Sequence, residues 1–136
     1  MEGLTIIENY ITEEQESLLL DNIGKPKQVS KKQQRNRILR FGSKVYDSNI
    51  VSREIPDYLK QFCKEFNSDS VTINEYFPGQ FIDYHIDNEN SGEVIIILSL
   101  LGNAVMNFKK KGSSFSIEVP RRSLLKMSDD LRWNWK

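Results

Sequence analysis

The chain has 136 residues with a formal net charge of zero, a length that suits one domain able to bury a sizeable core and leaves a second domain unexpected. Hydrophobic residues make up 38% and charged residues 28%, and no apolar run approaches the roughly 20 residues that span a bilayer, so membrane insertion is excluded. Cys63 is the only cysteine, which excludes an intrachain disulfide, and residues 1–9 lack the basic start and apolar core of a secretory signal; a cytoplasmic or nuclear location is expected.

Residues 4–7 predict a short apolar strand. Thr12 followed three residues later by Gln15 has the pattern of a capping box, opening a helix through Leu18, Leu19, Leu20 and Ile23 that Gly24 and Pro26 close. Next come Lys25, Lys27, Lys31, Lys32, Arg35, Arg37, Arg40 and Lys44 with no acid between them, so this stretch carries +8 and the remainder −8. Such a block attracts phosphates through counterion release, and a solvated loop has the same composition. Its first half reads as loop and residues 38–41 as a strand.

Pro56 opens a second helix, with Leu59, Phe62, Cys63 and Phe66 spaced i, i+3, i+4, i+7 on its apolar face. From residue 71 the period changes to two. Strands are predicted over 71–77 and 81–87 around a turn at Pro78-Gly79, then over 94–101 after a loop at 88–92. Later strand candidates are 104–108, 115–119, 124–127 and 132–135, with Gly102, Gly112 and Pro120-Arg121 as punctuation. The aromatic residues Phe108, Phe115, Trp133 and Trp135 are expected to pack. Two helices followed by many short strands predict an α+β fold whose sheets form a sandwich or barrel.

Strand alternation over 71–77 puts Thr72, Asn74 and Tyr76 on one face, and over 81–87 it turns His85 and Asp87 the same way. One imidazole nitrogen and one carboxylate oxygen supply two corners of a 2-His-1-carboxylate facial triad, which leaves coordination positions open for cosubstrate. A histidine two residues before an aspartate is common by chance. The surrounding run is not: Asn74-Glu75-Tyr76-Phe77-Pro78-Gly79, Ile82, His85-Ile86-Asp87 and Ser99-Leu100, then Pro120-Arg121-Arg122-Ser123-Leu124-Leu125, Met127, Arg132 and Trp135.

Together these residues resemble the AlkB family of iron(II)/2-oxoglutarate-dependent dioxygenases. Gly3-Leu4 and Thr12-Glu13-Glu14-Gln15-Glu16 are similar to the domain start in the branch that hydroxylates modified wobble uridines in tRNA. The resemblance implies a single dioxygenase domain over 1–136, with two N-terminal helices packed on a double-stranded β-helix, or jelly roll. It implies that His85 and Asp87 ligate Fe(II) and that Asn74 and Tyr76 hydrogen-bond 2-oxoglutarate, an amide and a phenol giving neutral donors to its carboxylates. The cofactors would activate dioxygen to hydroxylate an alkyl group on a base, releasing succinate and carbon dioxide. The target base must be unstacked, as in the loop of a tRNA, another RNA or a flipped DNA position. Lys31, Lys32, Arg35, Arg37, Arg40, Arg121 and Arg122 are the candidate nucleic-acid contacts.

One departure from the family pattern matters. His85 is the only histidine, whereas the triad needs two, and aligning Arg132 and Trp135 with the family's Arg-x-x-Trp-x-His pattern places the second directly after Lys136. The arginine that pairs with 2-oxoglutarate falls later still. A C-terminally incomplete jelly roll lacking its last strands is therefore expected, either continued by further polypeptide, or completed by a complementing chain, or belonging to a degenerate family member. Three readings stay open: a base-hydroxylating oxygenase acting on tRNA, an oxidative demethylase of alkylated DNA or RNA bases, and a non-catalytic RNA-binding jelly-roll module.

Overall fold

A computed structural model of the chain describes the backbone of residues 2–24, 37–46, 49–87 and 89–136 and, except at 37, 43–46, 49–53 and 90, their side chains. The chain forms two compact units, Met1–Leu20 with Tyr84–Lys136, and Asp21–Asp83. Every strand pairing is antiparallel among the described residues, and helices are few, so the fold is α+β as the sequence predicts. Among these residues no helix is long and apolar enough to cross a membrane.

The first unit is built around β8 (Leu124–Met127), which lies between β1 (Leu4–Ile7) and β5 (Ile95–Leu98). The registers put Leu125 between Ile6 and Ile97, and its side chain is fully buried. A hairpin of β6 (Ala104–Lys110) and β7 (Ser113–Val119) contributes Phe108 and Val119 to the same core as Leu125, Met127 and Leu131. Phe108 stacks on Phe115 at 4.9 Å, and Trp135 meets Phe115 edge-on at 5.1 Å. These three aromatics pack as expected, whereas Trp133 stays exposed. Alternation explains the hairpin: Met106, Phe108, Phe115, Ile117 and Val119 turn toward the core while Asn107, Lys109, Ser116 and Glu118 stay exposed.

Helix α1 (Glu13–Ile23) starts on the predicted capping box. The Thr12 N–H donates to Gln15 Oε1 at 2.8 Å, and the Gln15 N–H to Thr12 Oγ1 at 3.1 Å, satisfying two otherwise orphaned donors. One turn in, Glu16 is buried, with 2% exposure. Its carboxylate accepts from Arg121 Nε at 2.9 and 3.0 Å, Arg121 Nη2 at 2.6 Å, Arg122 Nη1 at 3.3 Å and the Leu101 N–H at 3.1 Å. The Arg121 hydrogen bonds lower the Glu16 pKa most, to about 2, and the Leu101 N–H and Arg122 add to the effect against the opposing cost of burial. The helix is thereby fixed to the β7–β8 turn and to the turn after β5.

The second unit holds the sheet β3-β2-β4, from β2 (Arg37–Tyr46), β3 (Asn49–Arg53) and β4 (Ser70–Glu75), with α2 (Asp57–Phe66) between β3 and β4 in the chain. Strand β3 lies in a stretch where the sequence pattern predicted nothing. Pro56 stands at the N-cap of α2 and Asn67, in the left-handed region at φ 52°, closes it. Leu59 and Cys63 are buried, and Phe62 stacks on Phe66 at 6.4 Å, which matches the predicted apolar face. Gly42 has φ +89°, and a Cβ there would overlap the carbonyl oxygen of Asp69, so only glycine lets β2 lie this close to the chain entering β4.

Two predicted strands are absent. Residues 81–87 form no strand. The Pro78-Gly79 turn does close, with the Gln80 N–H donating to the Phe77 carbonyl at 2.9 Å and Gln80 Oε1 accepting from the Phe77 N–H at 2.8 Å; β4 pairs with β2 on one side, and residues 81–87 add no strand on the other. Residues 132–135 are not a strand either: α3 (Asp129–Asn134) starts there after Ser128. The acidic pair Asp129-Asp130 suits a helix N-terminus, and placing Leu131 in the core needs only one helical turn.

Two expected outcomes follow from this packing. Leu125→Ala should cost about 2 to 5 kcal/mol in urea unfolding, while Lys126→Ala, on the exposed side of the same strand, should change stability by less than about 0.5 kcal/mol. Because the Glu16 pKa is depressed when folded, its contribution is complete above its unfolded value of 4.5 and is lost as pH falls toward about 2. That shift corresponds to about 3 kcal/mol, and a Glu16→Gln variant should be less stable at neutral pH and lack that part of the acid dependence.

Candidate functional site

The residues singled out for chemistry fall on both units. In the first, His85 and Asp87 lie on the segment between the Pro78-Gly79 turn and the short 3-10 turn Glu89–Ser91. Although no strand imposes alternation here, the two side chains converge: His85 Nε2 lies 3.3 Å from Asp87 Oδ1, with 46% and 36% side-chain exposure. The two candidate ligands, two residues apart, have come together, open to solvent, without the sheet that the sequence pattern predicts to align them.

What holds Asp87 is a residue from the far end of the chain. Arg132, on α3, is 2% exposed. Its Nη1 donates to the Asp87 carbonyl at 3.0 Å and its Nε to the Gly92 carbonyl at 2.8 Å, closing the loop between those residues. The Trp133 ring lies 4.1 Å from the Arg132 guanidinium carbon, adding a cation–π contact. The sequence pattern gave Arg132 no such role; the signal that could have found it is a lone arginine inside an otherwise apolar and acidic terminal helix.

In the second unit, Asn74 faces Ile38 across the β2–β4 ladder and Tyr76 follows just past the end of β4. Both are exposed, Tyr76 at 41%, whereas Val71, Ile73, Glu75 and Phe77 are half-buried. The phenol is therefore not a core aromatic. The candidate nucleic-acid contacts are dispersed. Lys31, Lys32 and Arg35 lie outside the described residues, the Arg37 backbone pairs with Glu75 in β2, and Arg40 is a half-buried residue of the same strand. Arg121 and Arg122 are engaged internally with Glu16. Among the described residues no group of three or more His, Cys, Asp or Glu side chains assembles a metal site.

No model of a protein family matches the chain. It is similar to uncharacterized protein L905 of Acanthamoeba polyphaga mimivirus, 30% identical over all of this chain and 72% of the viral protein. The chain belongs to one family with that protein. It is also 34% identical, over 98% of its length, to the tRNA (carboxymethyluridine(34)-5-O)-methyltransferase alkbh8 of Xenopus tropicalis. A third relative, the DNA N6-methyl adenine demethylase of Caenorhabditis elegans, is 27% identical over the whole chain and 54% of its own length. These names suggest the AlkB family and nucleic-acid-modifying enzymes. The chain spans about a quarter of the alkbh8 protein, 24% of its length.

Replacing Arg132 by methionine should leave the Asp87 and Gly92 carbonyls without their charged donor, at about 1.5 to 3 kcal/mol for each bond lost. Amide hydrogen exchange should then accelerate over residues 87–92 more than in β8, and equal acceleration across the unit would show that Arg132 supports the core and not this loop in particular.

Proposed function

We propose that this chain carries the metal-binding segment of an iron(II)/2-oxoglutarate-dependent oxygenase that hydroxylates or dealkylates a modified base in nucleic acid, with tRNA as the favoured substrate. The observation that carries this reading is the 3.3 Å approach of His85 Nε2 to Asp87 Oδ1. Two adjacent ligands each about 2.1 Å from one ion stand roughly 3 Å apart, so an ion fits both donors with little adjustment. A neutral imidazole and a hard carboxylate are the donor types of an open Fe(II) site. A third protein ligand is not assembled among the described residues, and with one imidazole in 136 residues it would come from a carboxylate or from other polypeptide.

Bound iron and 2-oxoglutarate would supply the oxidising chemistry for a carbon–hydrogen bond. The chain's own residues would bind and orient: His85 and Asp87 the metal, Asn74 and Tyr76 the cosubstrate carboxylates through neutral donors, and Arg132 the Asp87 backbone. The sheet and hairpin of the first unit, sharing one core, would be part of the jelly roll that the family likeness implies. The tRNA preference is supported by the name of the alkbh8 relative, a tRNA methyltransferase. The demethylase relative supports a second reading, oxidative demethylation of a DNA or RNA base, and the single histidine favours a third, a module that binds RNA without turnover.

Anaerobic titration with Fe(II), or with Mn(II) as a stable surrogate, tests the metal assignment. His85→Ala should weaken binding by more than roughly 100-fold, since even outer partners of a metal site are worth 10 to 100-fold, and Asp87→Asn should act in the same direction. Unchanged affinity in both variants would sink the assignment. Succinate release stimulated by tRNA but not by methylated DNA would favour the first reading, and the reverse the second.

A further inference from the structure

We propose that the tip of the β6–β7 hairpin is a phosphate-binding groove for the backbone of a single-stranded nucleic acid, formed by Lys109 and Lys111 with Lys136. This rests on the nucleic-acid reading above and adds a surface that neither the basic stretch at 25–44 nor the arginine pair supplies.

The groove begins with local geometry. Lys110 pairs with Ser113, so Lys111 and Gly112 form a two-residue turn, with φ 20° and 75°, a hand that matches the twist of the flanking strands. Three successive lysines are thus carried to one end of a rigid hairpin. Tertiary pairing then adds a fourth: the Lys109 N–H donates to the Lys136 carbonyl at 2.9 Å and the Lys136 N–H to the Lys109 carbonyl at 3.0 Å, setting the two residues opposite each other. An open groove of about 700 Å³ results, with Asn134 and Ser113 supplying neutral hydrogen-bonding groups. None of its lining residues is acidic.

One acid does stand near. Asp130 binds Lys110 Nζ at 3.0 Å and also accepts from Asn134 Nδ2 at 2.6 Å and Trp135 Nε1 at 3.0 Å. It neutralises Lys110, while Lys109, Lys111 and Lys136 are exposed. Gathering like charges this way is unfavourable for folding. A lining of cations, a hydroxyl and an amide also fails to suit an apolar small molecule. What it suits is a polyanion. Lys109 Nζ lies 4.2 Å from the ring centroid of Tyr84, an exposed aromatic immediately before His85. Cations that track a backbone beside an aromatic face are the elements of single-strand binding, and here the aromatic leads along the chain to the proposed metal pair.

Fluorescence anisotropy with a labelled single-stranded oligoribonucleotide across a salt series provides the test. Each phosphate contact contributes about 0.7 to the slope of log affinity against log salt. The double variant Lys109→Gln, Lys111→Gln should therefore lose about 1.4 in slope and bind roughly tenfold more weakly at physiological salt. Lys64→Gln with Lys126→Gln, the same charge change at exposed positions outside the groove, should bind like the parent. If the parent binds with a steep slope and both doubles match it, or both lose equally, the groove is refuted while nucleic-acid binding stands. If the parent shows no salt-dependent binding, the groove and the nucleic-acid reading fail together.

Discussion

A buried carboxylate organises the first unit. Glu16 sits in the second turn of α1, yet the residue that binds it most strongly lies 105 positions away in sequence. Taking a carboxylate out of water costs several kcal/mol, and that cost is offset only when its oxygens are fully hydrogen-bonded. Arg121, Arg122 and the Leu101 N–H together satisfy this condition. The helix can therefore dock on the turns at the ends of β5 and β7 in one way, because any shift would strand a buried charge. Such an interaction adds more to uniqueness than to net stability, since an apolar contact of similar size would stabilise as well.

The same principle recurs at the opposite end of the unit, with the signs exchanged. Arg132 is a buried cation that donates to two backbone carbonyls. Its targets, Asp87 and Gly92, flank the 3-10 turn Glu89–Ser91. A guanidinium presents donors in a fixed planar fork, so it can set the distance between two carbonyls more firmly than a flexible amine could. The His85–Asp87 pair is thus held by a local convergence of side chains and by a distant clamp on the backbone behind one of them.

Charge in this protein is sorted by whether it is used inside. The arginines of the β7–β8 turn and Asp130 have ionic partners within the fold, while Lys111 stands exposed at a hairpin tip and Lys109, also exposed, lies over the Tyr84 ring. A net charge of zero is therefore compatible with a locally cationic surface. The identity of a residue says little about which group it joins. Arg121 and Arg122, in a turn and adjacent, have the sequence features of phosphate contacts, and both also bind Glu16, Arg121 with 41% of its side chain exposed.

Sequence alone determined those features whose cause lies within a few residues. The capping box at Thr12 and Gln15, the apolar face of α2, the turn at Pro78-Gly79, the hairpin around Gly112 and the whole of β8 were legible because capping, amphipathic period and turn chemistry act over one to three turns of chain. The candidate metal pair was legible for the same reason, since two residues separate its members. Tertiary structure decided the rest. It added no strand from residues 81–87 to the sheet, in which β4 pairs with β2 on one side; it chose helix over strand at 132–134, where Leu131 of the same helix reaches the core; and it bound Arg121 to Glu16 and buried Arg132. In each case the deciding contact joins residues far apart in sequence. Local periodicity cannot specify such a contact, because the gain from satisfying a buried polar group exists only once the distant partner has been brought beside it.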